Sequence, residues 1–377
     1  MSLGAFQDEF PGCTFSRADE RNLACVKFID DMLPHERVHK KKVCPYIFFL
    51  LYSPIGFALA FVRLVVFLPL TGAVSCCVPT PCRTVFTRFV MFLLFGVWVK
   101  VKGRPNETAR VWAANHTSEM DAIAIRAVGN PFILGYSFYL KLWWLKCSPL
   151  SLLNMVYVPQ KSRTEGNGEA RDNVRKIVHE LLQNSSQSIL VFPEGGLASG
   201  KVGLLQYHMF MFSLGVPVQP IKIQVSRPLP ININCEVEGT TFFDNVFWFV
   251  FLPFQSFELT FLDCVSREED EEVLAFSRRV QSLTAKAMGV RASPFLYKDK
   301  QRWLKIKHKY LKEGYQFSLC VNDITQCVDV LYTCEPTHKV RPTEEPLRDR
   351  LLRDIYDLWD LRNPGSKSHP VFLAKDG

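Results

Sequence analysis

Hydrophobic positions are bunched in the first third of this chain and periodic after it. Residues 43–82 (VCPYIFFLLYSPIGFALAFVRLVVFLPLTGAVSCCVPTPC) hold a single charge, Arg63. End to end this is about twice the ~20 apolar residues that cross a bilayer as a helix, and each half is near that length. Pro54 withdraws a backbone donor and Gly56 permits a tight turn, so a bend is expected within YSPIGF. His39, Lys40, Lys41 and Lys42 precede the stretch, Arg83 and Arg88 follow it, and basic flanks stay cytosolic. The pattern predicts a re-entrant hairpin or two short spans with a minimal lumenal turn, both ends cytosolic. A buried helix pair in a soluble core is the competing expectation, and length and lack of charge weigh against it. Residues 85–101 are apolar again but too short to span, and are expected at the interface with Trp98 at headgroup level.

From about residue 110 the texture changes. ARVWAANH reads as a buried strand, and SEMDAIAIRAVG as a helix with Thr117 or Ser118 available as its cap. GEARDNVRKIVHELLQNSS is amphipathic, with Val174, Ile177, Val178, Leu181 and Leu182 on one stripe. SILVFPEGG is a short strand running into a turn; VPVQPIKIQVSRP and the FELTFLDCV region are further strands. Strands alternating with helices predict an α/β domain with a mainly parallel sheet. Residues 241–262, dense in Phe and Trp, predict either a membrane- or acyl-chain-facing surface or an ordinary core segment. REEDEEVLAFSRRVQSLTAKAMG is a surface helix, acidic at its start and basic toward its end, as the helix dipole favours. RWLKIKHKYLK reads as a solvated basic face or a membrane-surface contact. LRDRLLRDIYDLWDLR places Leu347, Leu351, Ile355 and Leu358 at helical spacing, to pack on its own domain or in a partner's groove.

The formal net charge of +8 favours anionic partners such as phospholipid headgroups and phosphorylated substrates. No basic stripe with interleaved aromatics and no zinc-finger, helix-turn-helix or RNP pattern is present, so nucleic acid is not expected as a partner. The 12 cysteines form no CxxC pair and no His/Cys ligand spacing; no metal site is expected, and many unpaired thiols suit a reducing, cytosol-facing location. The first forty-odd residues mix acids and bases and do not read as a cleavable signal.

Two motifs carry chemistry. In Asn115-His116-Thr117-Ser118-Glu119-Met120-Asp121 the His stands where a strand ends and a helix begins, which is where open α/β sheets place their sites. Residues five apart do not share a helix face. His116 and Asp121 therefore meet only with His116 on the turn and Asp121 in the first helical turn. There the carboxylate fixes one imidazole nitrogen and leaves the other as a general base, which deprotonates a substrate hydroxyl for attack on a thioester. The second motif is Phe192-Pro193-Glu194-Gly195-Gly196 at a strand end. Its glycines expose N–H groups to an anion or polar head, and Glu194 is placed to orient a hydroxyl; taken alone it is also ordinary turn chemistry.

Together these motifs resemble the NHxxxxD and FPEGT-like blocks of the PlsC-type glycerolipid acyltransferase family. The resemblance implies an α/β domain at the membrane face that moves an acyl group from acyl-CoA to a lysophospholipid or glycerol phosphate. It implies no cofactor beyond acyl-CoA as co-substrate. His116 becomes the base, Asp121 its orienter, and Glu194, Gly195 and Gly196 acceptor-binding elements. An intervening block usually offers an Arg to the acceptor phosphate; here MVYVPQKSRTEG has Gln160 near that place, with Lys161 and Arg163 as the substrate-binding cations. Gly196 replaces the usual Thr, and Val218-Gln219-Pro220 matches the fourth block.

Residues from roughly 46 to 300 further resemble the ancient ubiquitous protein family, through LLYSPIGFALAFVRL, GLLQY…VQPIKIQVSRPL and FVFLPFQSFELTFL with the SRRVQSLTAKAMG helix. That resemblance implies a monotopic membrane hairpin on endoplasmic reticulum and lipid droplets, with membrane lipids as partners. It also implies a role in degradation of misfolded reticulum proteins, through a ubiquitin-binding CUE domain and a helix recruiting a ubiquitin-conjugating enzyme. No CUE-like segment is legible between 300 and 377. The expected layout is a polar segment 1–42, hairpin and interfacial helix 43–101, acyltransferase-like domain 102–295 and polar C-terminal region 296–377 with the partner-binding helix.

Overall fold

The computed structural model describes residues 29–32, 34, 36–38, 43–136, 148–158, 167–227, 233–312, 316–322 and 327–333. The chain divides into two units, Leu33–Pro294 and a second made of Met1–Met32 with Phe295–Gly377.

The larger unit is built on a seven-stranded sheet in the order β1-β8-β7-β2-β5-β3-β4. The strands are β1 Val97–Lys102, β2 Val111–Ala114, β3 Phe132–Tyr136, β4 Asn154–Val158, β5 Ile189–Val191, β7 Val218–Ser226 and β8 Gln255–Phe261, with a small pair β6 Gly203–Leu204 and β9 Arg291–Ala292 beside it. Every neighbouring pair in the large sheet is parallel except β7 with β8. This is the mainly parallel α/β arrangement expected. A parallel sheet is covered on both faces, and β2 shows why its sequence is apolar throughout. Trp112 and Ala114 join a core with Ile123, Ile221 and Phe257, while Val111 and Ala113 join one with Val178, Val280 and Phe276.

The long apolar stretch folds differently from its sequence expectation. One helix, α1 Val43–Ser75, runs unbroken past Pro54, with a π-helical turn at Arg63–Phe67. The chain reverses only after Ser75, through Thr80–Cys82 into α2 Arg83–Phe95. Gly56 serves packing, not bending. A Cβ there would lie 2.5 Å from the Phe251 ring, so the missing side chain is what lets helix α5 Phe242–Phe251 close on α1. Tyr52 Oη donates to the Phe251 carbonyl at 2.7 Å on the same flank. Arg63, the lone charge of the run, is buried and donates to the carbonyls of Val250 (2.8 Å), Leu252 (2.5 Å) and Pro253 (3.1 Å). A cation bonded to the orphan carbonyls at a helix C-terminus offsets its own desolvation and welds α1 to α5.

Residues 85–101 are likewise not one interfacial segment. Gly96, at φ +61°, ends α2 and turns the chain into β1; a Cβ would lie 1.9 Å from the Pro253 carbonyl oxygen, so only glycine fits. The aromatic segment 241–262 divides into α5, opened by a Thr241–Asp244 capping box, and β8. Phe249, Val250, Phe251, Phe257 and Leu259 are core, as the core expectation has it, whereas Phe243 and Phe254 are exposed. The helices α4 Asn167–Asn184 and α6 Val273–Met288 form where the amphipathic stripes predict.

In the smaller unit, Asp30 accepts from Trp303 Nε1 (2.7 Å) and Lys307 Nζ (2.8 Å) on α7 Tyr297–Lys312. β10 Gln316–Asn322 and β11 Cys327–Thr333 form an antiparallel hairpin. The segment holding Leu347 to Leu358 lies outside the described residues.

Candidate active site

Strand register brings the two motifs together. β2 pairs with β5 in parallel, Ala113 opposite Val191, so the residues leaving their C-terminal ends emerge side by side. Asn115 extends β2 by one rung with its side chain. Its Nδ2 donates to the Ile223 carbonyl at 3.0 Å and its Oδ1 accepts from Ile223 N–H at 2.7 Å. This anchors the strand end on β7 and releases His116 into a turn.

Helix α3 Asp121–Arg126 is capped at Met120, three residues after Thr117 and two after Ser118, the caps expected for it. The reason is Asp121. Its fully buried Oδ2 accepts from Thr117 N–H (2.7 Å) and Ser118 N–H (2.9 Å), and lies 3.0 Å from His116 Nδ1. The carboxylate gathers residues 116–118 around itself in a turn, and the helix begins at Asp121 itself. Thus the His116 ring is held through Nδ1, which leaves Nε2 as the nitrogen Asp121 does not engage. The ring also stacks on Phe192, centroids 4.2 Å apart.

Glu194 is fully buried, with Oε1 accepting from His116 N–H and Oε2 from Leu205 N–H, each at 3.0 Å. The family resemblance implies contact with the acceptor; in the structure Glu194 lies behind His116 and clamps the turn. Charge-assisted bonds to backbone donors are the strong kind, and they fix where the imidazole stands. The His116 carbonyl in turn accepts from Ala198 N–H at 2.8 Å.

A cavity of about 680 Å³ opens beside the imidazole, lined by His116, Glu119, Phe192, Gly195, Gly196 and Phe242 and by apolar side chains of β3, β4 and α4. That volume lies within the range of small-molecule sites. Of the FPEGG residues, Phe192, Pro193, Gly195 and Gly196 line it; Glu194 does not. Glu119 is a wall residue the sequence offered without a role, and burial pushes its carboxyl above the usual range against the pull of His116. Phe192 was legible only as part of the motif, with no signal that it would stack on the histidine. Gln160, Lys161 and Arg163 lie outside the described residues.

A carboxylate-held histidine at a strand end, clamped from below by the glutamate of a glycine turn and opening on an apolar cavity, defines an acyltransferase-type α/β domain. Residues 99–224 match the family model Acyltransferase, so the chain carries an acyltransferase-type domain there. It is 30% identical over 289 residues to the lipid droplet-regulating VLDL assembly factor AUP1 of Xenopus tropicalis, covering 74% of this chain and 65% of that protein. It is 26% identical over 275 residues to the AUP1 homolog of Caenorhabditis elegans, covering 72% and 67%. The chain thus spans about two thirds of the length of these relatives. Among solved structures, the 1-acyl-sn-glycerophosphate acyltransferase PlsC of Thermotoga maritima matches with a TM-score of 0.43 at 18% identity, over 65% of this chain and 96% of that one.

Proposed function

We propose that this protein is a membrane-attached acyltransferase that moves an acyl group from acyl-CoA to a hydroxyl of a lysophospholipid or glycerol phosphate. The observation that carries the reading is the His116 Nδ1–Asp121 Oδ2 contact of 3.0 Å at the wall of an apolar cavity. Nε2 takes the proton of the acceptor hydroxyl as its oxygen attacks the thioester carbonyl. The C–O bond forms, the C–S bond breaks, and the proton passes to the departing CoA sulfur. Asp121 holds the tautomer and faces the imidazolium that forms in between. Glu194 acts through His116 as a positioning residue, Gly195 and Gly196 admit the acceptor closely, and the apolar walls receive the acyl chain. Lys161 and Arg163, which lie outside the described residues, are the cations that the family resemblance offers to an acceptor phosphate.

Membrane attachment follows from α1, whose outer flank exposes Leu51, Ile55, Phe61 and Val65, with Val85, Trp98 and Phe254 exposed nearby in the sequence of elements that follow. Apolar surface of this extent marks an interaction site. The opposite flank of α1 is docked on α5 through Gly56 and Arg63, which supports a monotopic reading; the basic flanks of the apolar run support both ends being cytosolic. Endoplasmic reticulum and lipid droplet are the membranes proposed, the relatives being named for lipid droplets.

The test incubates the purified full chain in phospholipid nanodiscs with oleoyl-CoA and a panel of lysophospholipids and glycerol 3-phosphate. Product is followed by mass spectrometry. Wild type forms acylated product and His116→Ala does not; equal background rates for the two end the reading. The relatives' names, lipid droplet-regulating VLDL assembly factors, favour a second function, a non-catalytic lipid-droplet role, to which the family resemblance adds an adaptor that recruits ubiquitin-conjugating machinery for degradation. It requires such factors to co-purify with the full chain and to be lost when residues 340–377 are removed.

A further inference from the structure

A second cavity, of about 140 Å³, lies on the β7 side of the same turn and is the more polar of the two. Its wall includes Thr117, Lys201, Lys222, Arg227, Asn234 and Glu236, where the larger cavity is mostly apolar. Thr117 faces this cavity and His116 the other, so one peptide unit separates a polar chamber from the apolar one. Neither Lys201 nor Lys222 makes an ion pair with any described residue. Arg227 is bonded to Gln255 Oε1 at 3.1 Å and stands 3.5 Å from Glu236. Glu236 is only 7% exposed, and its Oε1 has no hydrogen-bond partner among the described residues. A buried carboxyl oxygen without a partner is costly unless something else meets it. Three cations around one carboxyl leave the chamber with net positive charge, which a multi-oxygen anion satisfies.

We propose that this chamber binds a phosphate group of one of the two co-substrates, with Lys201, Lys222 and Arg227 on its oxygens and Glu236 on an adjoining hydroxyl. The proposal rests on the acyl-transfer reading, which is what supplies phosphate-bearing ligands, either the acceptor or CoA. The space is too small for an acyl chain. It does take a phosphoryl group with a neighbouring hydroxyl.

The full chain carrying His116→Ala, so that nothing turns over, is titrated calorimetrically in nanodiscs with sn-glycerol 3-phosphate and, separately, with CoA. The same titrations are run on Lys201→Gln/Lys222→Gln in that background. Losing two charge-assisted contacts is expected to weaken one ligand by about tenfold or more. Weakening for glycerol 3-phosphate assigns the chamber to the acceptor; weakening for CoA assigns it to the donor. Unchanged affinity for both, or no binding of either to the parent, overturns the proposal. Lys201 is exposed and Lys222 half-buried, and an unchanged melting temperature for the double variant shows that the fold is kept. Lysine-dependent binding without acyl transfer in wild type would end the enzymatic reading and leave the chamber's assignment standing. Turnover with lysine-independent binding would do the reverse.

Discussion

Replacing Glu194 by Gln separates a clamp from a substrate ligand. In wild type both carboxylate oxygens accept a backbone N–H, one from His116 and one from Leu205, and the side chain is fully buried. A carboxamide has the same shape but one acceptor. Its NH₂ must face one of the two N–H groups, so one bond is lost, a donor opposes a donor, and the remaining bond loses its charge. An unsatisfied buried donor costs about 1–3 kcal/mol, and with the weakened second bond the sum is about 2–4 kcal/mol. For a domain of this size that is on the order of 10 °C in melting temperature. The measurement is tryptophan-fluorescence melting of the full chain in nanodiscs, with turnover assayed well below the transition. The clamp predicts a lower kcat, because His116 is displaced, with the KM for the acceptor little changed. A variant that melts within a degree of wild type and shows a raised acceptor KM at unchanged kcat would refute this account and return Glu194 to the acceptor.

Gly56→Leu drives a side chain into the Phe251 ring, only 2.5 Å from where its Cβ would sit. A loss of about 1–3 kcal/mol in chemical denaturation is expected, as for other overpacked sites; a wild-type midpoint would mean that α1 and α5 are not pressed together there. Arg63→Met removes a cation from three carbonyls at the end of α5, and breaking a buried hydrogen-bonded charge is expected to cost about 3 kcal/mol in the same assay. Burial pushes the Glu236 carboxyl up to about 7 from 4.5, against Arg227 and with Asp121 adding to the rise. The unfolded chain releases this proton first, so between those values the folded state holds the extra one. Stability therefore falls as pH rises through the window and levels above it, by at most about 3 kcal/mol. Glu236→Gln should flatten that slope in pH-dependent denaturation, and an unchanged slope would show that another group sets it.

Much of this protein is present in its residue order. The strands, the amphipathic helices and the class of sheet follow from periodicity, because a parallel sheet must bury both faces and its strands read as apolar runs. The pair His116 and Asp121 was legible too, since five residues across a strand-to-helix junction leave one way for them to meet. Tertiary structure decided the rest. Gly56 reads as a turn residue until the Phe251 ring is seen against it, and Arg63 as an intruder in an apolar run until the carbonyls of α5 surround it. Glu194 reads as a ligand until its two oxygens are found spent on backbone donors from residues far apart in sequence. The polar chamber had no signal at all, because Lys201, Lys222, Arg227 and Glu236 share no motif. Local sequence sets the conformations a segment favours; which distant group meets a glycine, a cation or a carboxylate is settled only when the chain has packed.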